Sequence, residues 1–224
     1  MSSLQLYDRV GPFVTPSNVT TIDGFRAWAS SDTFPETGKV AFVEGRLYFD
    51  MSPERIDLHT TLKGEVSLVL SLLVRDEDLG HFYPDGVLLT NKAAGVSNEP
   101  DASFASWATL ESGRLTHPDT RGDRFVDLVG TPDWVCEVVS GSSEEKDLRI
   151  LREAYYKAGI PEYWLIDAWG SEIDFKLLVA GDDGYEEAVA DKDGWRRSLV
   201  FDREFYLSRS RDRVNRWRYR LDQR

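Results

Sequence analysis

The sequence predicts an α/β protein: a mixed β-sheet flanked by helices, with antiparallel hairpins beside it. Three observations carry this prediction. The run Asp133-Trp-Val-Cys-Glu-Val-Val139 is dense in β-branched and aromatic residues and reads as a strand. The apolar period then turns helical and ends near Ala158, where Gly159 supplies a C-terminal cap and Pro161 blocks continuation. A second apolar run, Glu162-Tyr-Trp-Leu-Ile-Asp167, follows at once. Strand, helix and strand within 134–167 imply a parallel pair joined by a right-handed crossover.

The other elements fall around this unit. Residues 1–19, with Gly11, Pro12 and Pro16, read as an irregular arm. Ile22, Phe25 and Trp28 recur at three-residue spacing and mark a short amphipathic helix over 21–30. Val40 to Asp50 reads as two strands meeting at a tight Glu44-Gly45 turn. From Asp57 to Val74 the stripe Leu62, Val66, Val69, Leu70 and Leu73 marks a helix long enough to cover a sheet. Gly80–Leu89 and Asp101–Trp107 read as strands separated by a polar loop, and Arg121–Gly130 offers another strand. Ser142 with Glu145 gives a capping-box pattern for the next helix. Glu172–Val179 and Tyr185–Val189 form a hairpin about a Gly-Asp-Asp-Gly turn. No repeat or Pro/Gly/Ser-rich linker divides the chain, so 20–208 is expected as a single domain and 209–224 as a basic tail.

The net charge is −12, from 39 acidic and 27 basic residues among 224. A diffuse negative surface opposes nonspecific attachment to nucleic acid or to an anionic membrane. Residues 209–224 differ: seven arginines against Asp212 and Asp222 give +5, leaving −17 elsewhere. Contact with nucleic acid is therefore expected to be local. Arginine interleaved with Trp217 and Tyr219 can hold phosphates and stack on bases, or can be a solvated last strand. No stretch approaches the roughly 18 apolar residues of a membrane span. With no signal pattern in the first thirty residues, a cytoplasmic protein is expected. The single cysteine, Cys136, sits in an apolar run and reads as core.

The informative feature is an acid inside an apolar strand. Alternation puts Trp134, Cys136 and Val138 on one face, and Val135, Glu137 and Val139 on the other. An unpaired buried carboxylate costs several kcal/mol. Glu137 therefore needs a cation such as Arg152, a proton or a metal ion. Among the four Pro-Asp pairs, Asp133 shares the Glu137 face but lies about 13 Å along the strand, too far for one ion. Asp119 reads as loop, and Asp85 before Gly86 reads as a turn. Asp101 opens a strand. If that strand neighbours Glu137, the two acids stand about 5 Å apart, close enough to share a hard cation.

Asn98-Glu-Pro-Asp101, then Cys136-Glu-Val-Val-Ser140, then Lys146-Asp-Leu with Ala154-Tyr, and Ala158-Gly-Ile-Pro-Glu-Tyr-Trp-Leu-Ile-Asp167 occur in order. In these motifs, with Val43-Glu-Gly45 and His59 upstream, the chain resembles the Uma family of restriction endonucleases, within the PD-(D/E)XK nuclease superfamily. The likeness runs over roughly residues 20 to 180. It implies a restriction-endonuclease-like fold, DNA as substrate, and a Mg²⁺- (or Mn²⁺-) dependent phosphodiesterase site. Asp101 and Glu137 would be the metal ligands and Glu44 an acid at the site's edge. Such nucleases can also work as homodimers, so that two sites reach two strands.

The chain departs from the pattern at the catalytic lysine. The superfamily places it two residues after the second acid, where Val139 stands, and the Uma proteins place it at the position of Leu151. Leu151 falls on the stripe Leu148, Leu151, Tyr155 and Ala158 and reads as packing. Lys63, one turn after His59, is the candidate substitute; Lys146 and Arg152 are others, though Arg stays protonated. The expectation is a metal-dependent DNA endonuclease with Asp101, Glu137, Glu44, His59 and Lys63 at its site. The alternative is a catalytically degenerate nuclease fold serving as a binding or regulatory module.

Overall fold

In the computed structural model, residues 19–35, 38–50, 55–117, 127–140 and 146–224 are described. The expected N-terminal arm (Val19 apart), the Asp119 loop, the Ser142–Glu145 capping box and the side chain of Asp147 lie outside them. Helix α1 (Ile22–Ala29) starts where Thr21 Oγ1 accepts the amide of Gly24 at 3.1 Å, and it buries Phe25 and Trp28. Strands β1 (Lys39–Val43) and β2 (Arg46–Asp50) form a hairpin. Its turn residues Glu44 and Gly45 both have positive φ, 48° and 81°, the mirror-image turn that matches strand twist. A π-helical turn, Ile56–Thr60, leads into α2 (Thr61–Asp76).

Next come β3 (Gly80–Pro84), β4 (Leu88–Asn91), β5 (Val96–Asn98) and β6 (Ala102–Ser106). Helix α3 (Trp107–Glu111), β7 (Leu115–Thr116), β8 (Asp127–Gly130) and β9 (Trp134–Val138) follow. A second π-helical turn, Lys146–Leu151, precedes α4 (Arg152–Lys157). The chain then forms β10 (Glu162–Asp167), β11 (Asp174–Ala180) and β12 (Tyr185–Glu187), and finally β13 (Arg196–Ser198), β14 (Arg203–Arg211) and β15 (Trp217–Gln223).

Among the described residues the strands make sheets ordered β2-β1-β5-β4-β8-β7, β12-β11-β10-β9-β6-β3 and β13-β14-β15. The pairs β9–β10 and β4–β8 are parallel and the others antiparallel, so the expected mixed character occurs in both large sheets. The parallel β9–β10 pair is the one expected from 134–167. Strand β9 is buried on both faces, as a continuous apolar run requires. Trp134, Cys136 and Val138 pack with Leu62, Val66, Leu70 and Leu73 of α2. Val135 and Val139 pack on the other side with Leu151, Tyr155 and Tyr163.

Three expectations are corrected. Gly80–Leu89 is two strands in different sheets, broken at Gly86, whose φ is 98°. The polar loop before Asp101 contains β5, buried throughout. Residues 209–224 do not form a tail: β14 and β15 pair from Phe205↔Gln223 to Arg211↔Trp217. The alternation of Tyr219 and Leu221 with arginine is a strand period, and both side chains are buried in the core beside α2. No helix among the described residues is long and apolar enough to cross a membrane.

Candidate active site

Strand β6 runs antiparallel to β9 with Ala102 opposite Cys136, and Asp101, just before β6, bonds the β9 backbone one residue past Glu137. Both acids are buried, at 4% and 3% exposure. Asp101 Oδ2 accepts the backbone N–H of Val138 at 2.7 Å, and Oδ1 accepts Lys39 Nζ at 2.7 Å. Lys63 Nζ lies 3.5 Å from the same Oδ1. Burial pushes the Asp101 pKa up; Lys39, His59 and Lys63 together outweigh it and hold the carboxyl below its ordinary range.

Glu137 is fixed differently. Its Oε1 accepts Tyr155 Oη at 2.6 Å and Asn98 Nδ2 at 2.9 Å, from α4 and the end of β5. Burial, and then the Glu137 charge, push the Tyr155 hydroxyl well up, so it stays a donor. Arg152, the alternative partner for Glu137, donates instead to the carbonyl of Tyr185 at 2.7 Å.

The cations come from two elements. Lys39 opens β1 and also meets Asp85 Oδ1 at 2.8 Å and Glu99 Oε1 at 4.0 Å. Burial lowers its pKa, but Asp101, Asp85 and Glu137 more than reverse this, and its ammonium is held charged. Lys63 pairs with Asp85 from α2. His59 Nε2 donates to the Val138 carbonyl at 2.8 Å, which fixes the proton on that nitrogen, and lies 3.6 Å from Asp101 Oδ2.

The structure thus brings Asp101, His59 and Lys63 together, with Glu137 one residue from the Val138 amide that holds Asp101. It does not bring Glu44 to them: Glu44 sits at the far end of β1 from Lys39 and pairs with Lys157 on the surface. Leu151 is fully buried among apolar side chains, as its stripe predicts. Sequence reasoning missed Lys39, Asp85, Asn98 and Tyr155. Asp85 carried a signal, a Pro-Asp pair like that of Asp101, but its turn reading was only half of its role. Asp133 caps locally, accepting Ser106 N at 2.6 Å and Thr109 Oγ1 at 2.8 Å.

The donors suit a small divalent cation. Carboxylate oxygens are what Mg²⁺ takes, and it fills the rest of its shell with water or phosphate oxygen. Among the described residues no group of three or more His, Cys, Asp or Glu forms a complete ligand set. Two protein carboxylates are enough for such an ion. A cation already sits on one of them: the Lys39 ammonium bonds Asp101 and feels the charge of Glu137. Four acids, Asp85, Glu99, Asp101 and Glu137, are set against two lysines, Lys39 and Lys63. Burial, then Asp85 and Asp101 against the opposing pull of Lys39, push Glu99 toward its protonated form.

No curated protein matches the chain. Among solved structures, a putative nuclease belonging to DUF820 from Anabaena variabilis matches with a TM-score of 0.61 at 19% identity. The match covers 81% of this chain and 90% of that one, and at this identity it speaks to the fold alone. It agrees with a restriction-endonuclease-like arrangement of mixed sheet and helices. The Uma2 family model, described as "Putative restriction endonuclease", matches residues 22–210. The chain therefore belongs to the Uma2 family.

Proposed function

We propose that this protein is a metal-dependent DNA endonuclease in which Asp101 and Glu137 hold Mg²⁺ or Mn²⁺. The supporting observation is the pair of buried acids on neighbouring strands, with the Lys39 ammonium bonded to Asp101 and within electrostatic reach of Glu137. When bound, the ion would supply Lewis acidity toward a phosphodiester and a lowered pKa for attacking water. Asn98 and Tyr155 hold Glu137 Oε1 in place, and the Val138 amide holds Asp101 Oδ2, so neither carboxylate need reorganise. Lys63, with Nζ 3.5 Å from Asp101 Oδ1, brings to the site the positive charge that Leu151 cannot supply. Its role is to orient water and to offset charge gathering on the phosphate. Lys39, held charged, acts by charge and not as a base.

Nicking of supercoiled plasmid tests this. Wild type is expected to nick with Mg²⁺ or Mn²⁺ and not in EDTA, and Asp101→Asn and Glu137→Gln to lose on the order of 100-fold or more. Equal nicking by wild type and Asp101→Asn, or nicking that survives EDTA, would remove the reading.

A further inference from the structure

We infer that the tip of the C-terminal hairpin and the loop after β10 form a docking strip for a DNA strand entering the site; the inference rests on the nuclease reading for its substrate. The hairpin of β14 and β15 is tied to the helix that carries Lys63. Tyr219 Oη donates to the carbonyl of Asp57 at 3.0 Å, two residues before His59, and the Leu221 amide donates to Glu65 at 3.0 Å. Near the hairpin's tip, the guanidinium carbons of Arg209 and Arg211 lie 4.0 and 3.5 Å from the centre of the Trp217 ring. Arg209 also donates to the carbonyls of Ala168 at 2.7 Å and Gly170 at 2.5 Å, joining the hairpin to the loop after β10.

That loop carries Trp169, 44% exposed, with Arg55 4.9 Å over its ring. Trp169 Nε1 donates to the Val139 carbonyl at 3.1 Å, one residue beyond the Val138 amide that holds Asp101. Arginine and tryptophan therefore alternate from Arg211 to Arg55 and end at the backbone of the candidate site.

The chemistry fits a polynucleotide. Guanidinium groups stacked on indole rings use their faces. Arg209 gives an N–H from each terminal nitrogen to carbonyls, and Arg211 gives one to Asn215 at 3.1 Å. Their remaining N–H groups are the donors for phosphate oxygens, and an exposed indole accepts a stacked base. Residues 209–217 hold Arg209, Arg211, Arg213 and Arg216 against Asp212, a net of +3 in a chain of −12. The Asp212 carboxylate is engaged by the amides of Val214 at 2.9 Å and Arg216 at 2.8 Å. Asp57, 3.8 Å from Arg55, offsets part of the charge at the other end of the strip. In a chain of net charge −12, a locally basic, aromatic strip is a favoured place for a polyanion.

Fluorescence anisotropy of a labelled single-stranded oligodeoxynucleotide of about 20 residues, in EDTA so that nothing is cleaved, tests the inference. Arg55→Gln combined with Arg211→Gln is expected to weaken binding about tenfold and to lower the slope of log affinity against log salt by about 2. Trp169→Ala, whose ring is largely outside the core, is expected to weaken binding about tenfold without the charge effect. Arg197→Gln with Arg203→Gln, at the other end of the C-terminal sheet, should bind as wild type, and all variants should melt as wild type does. Unchanged binding in both strip variants, an equal loss in the control, or no binding by wild type overturns the inference. Metal-dependent nicking that needs Asp101 yet ignores the strip sinks the docking surface alone. DNA held by the strip with no nicking sinks the nuclease reading alone.

Discussion

Lys39 and Lys63 reach the same oxygen of Asp101 from different elements, at 2.7 and 3.5 Å, and their closeness sets them different tasks. Lys39 lies in the position a metal ion would contest. Lys39→Met is expected to tighten Mn²⁺ binding, because Asp101 then loses a competing cation; calorimetric titration showing weaker binding contradicts this. Lys63→Met should leave Mn²⁺ binding near wild type while plasmid nicking falls roughly 10–100-fold. Loss of both together points to a structural lysine. Asp101, Glu137, His59 and Lys63 were legible because each stands within a motif or one helical turn of one. Lys39 was not, since a lysine heading a hairpin looks solvated, and its partner lies 62 residues away. Tyr155 sat on an apolar stripe, and the stripe's period says nothing of where a hydroxyl ends.

At the scale of elements, β3 decides where Asp85 goes. Its first residue, Gly80, has φ 153° and faces Ser106 across the ladder. A methyl group there would overlap the carbonyl of Ala105, which belongs to the backbone and cannot turn aside. Gly80→Ala is expected to cost about 1–3 kcal/mol and to slow nicking as β3 shifts. Gly64, inside α2 with nothing near its would-be methyl, is the contrast. Gly64→Ala should stabilise by roughly 0.5–1 kcal/mol. Urea denaturation of both variants checks the pair, and changes of the same sign in both would refute the argument. The strand–helix–strand unit around β9 and β10 was legible because local period and local chemistry agree there. The break between β3 and β4 was legible only in part: Pro84-Asp85-Gly86 marks a turn, but only the two sheets decide that the chain crosses between them.

On the scale of the whole molecule, the C-terminal sheet is joined to the central one through a second buried acid. Glu162, fully buried at the start of β10, accepts Trp164 Nε1 and Ser198 Oγ, both at 2.7 Å, on one oxygen. The other oxygen accepts the amides of Leu199 at 2.9 Å and Val200 at 3.3 Å. The sequence offered the same signal here as at Glu137, an acid in an apolar strand. What separates the two is the company each carboxylate keeps, which includes Ser198 for Glu162 and Asn98 for Glu137, each more than 30 residues away. Burial pushes the Glu162 pKa up, and the donors from Ser198, Trp164 and the two amides recover only part of that shift. Between the unfolded carboxyl value near 4.5 and the raised folded value, the native state binds more protons than the unfolded one. Stability from this group is therefore full below pH about 4.5 and falls as pH rises through that window. Glu162→Gln, which cannot ionise, should lack that component, so the difference in unfolding free energy between wild type and variant should change with pH there. A difference that stays constant from pH about 4 to 7 would show that the join between the two sheets does not titrate.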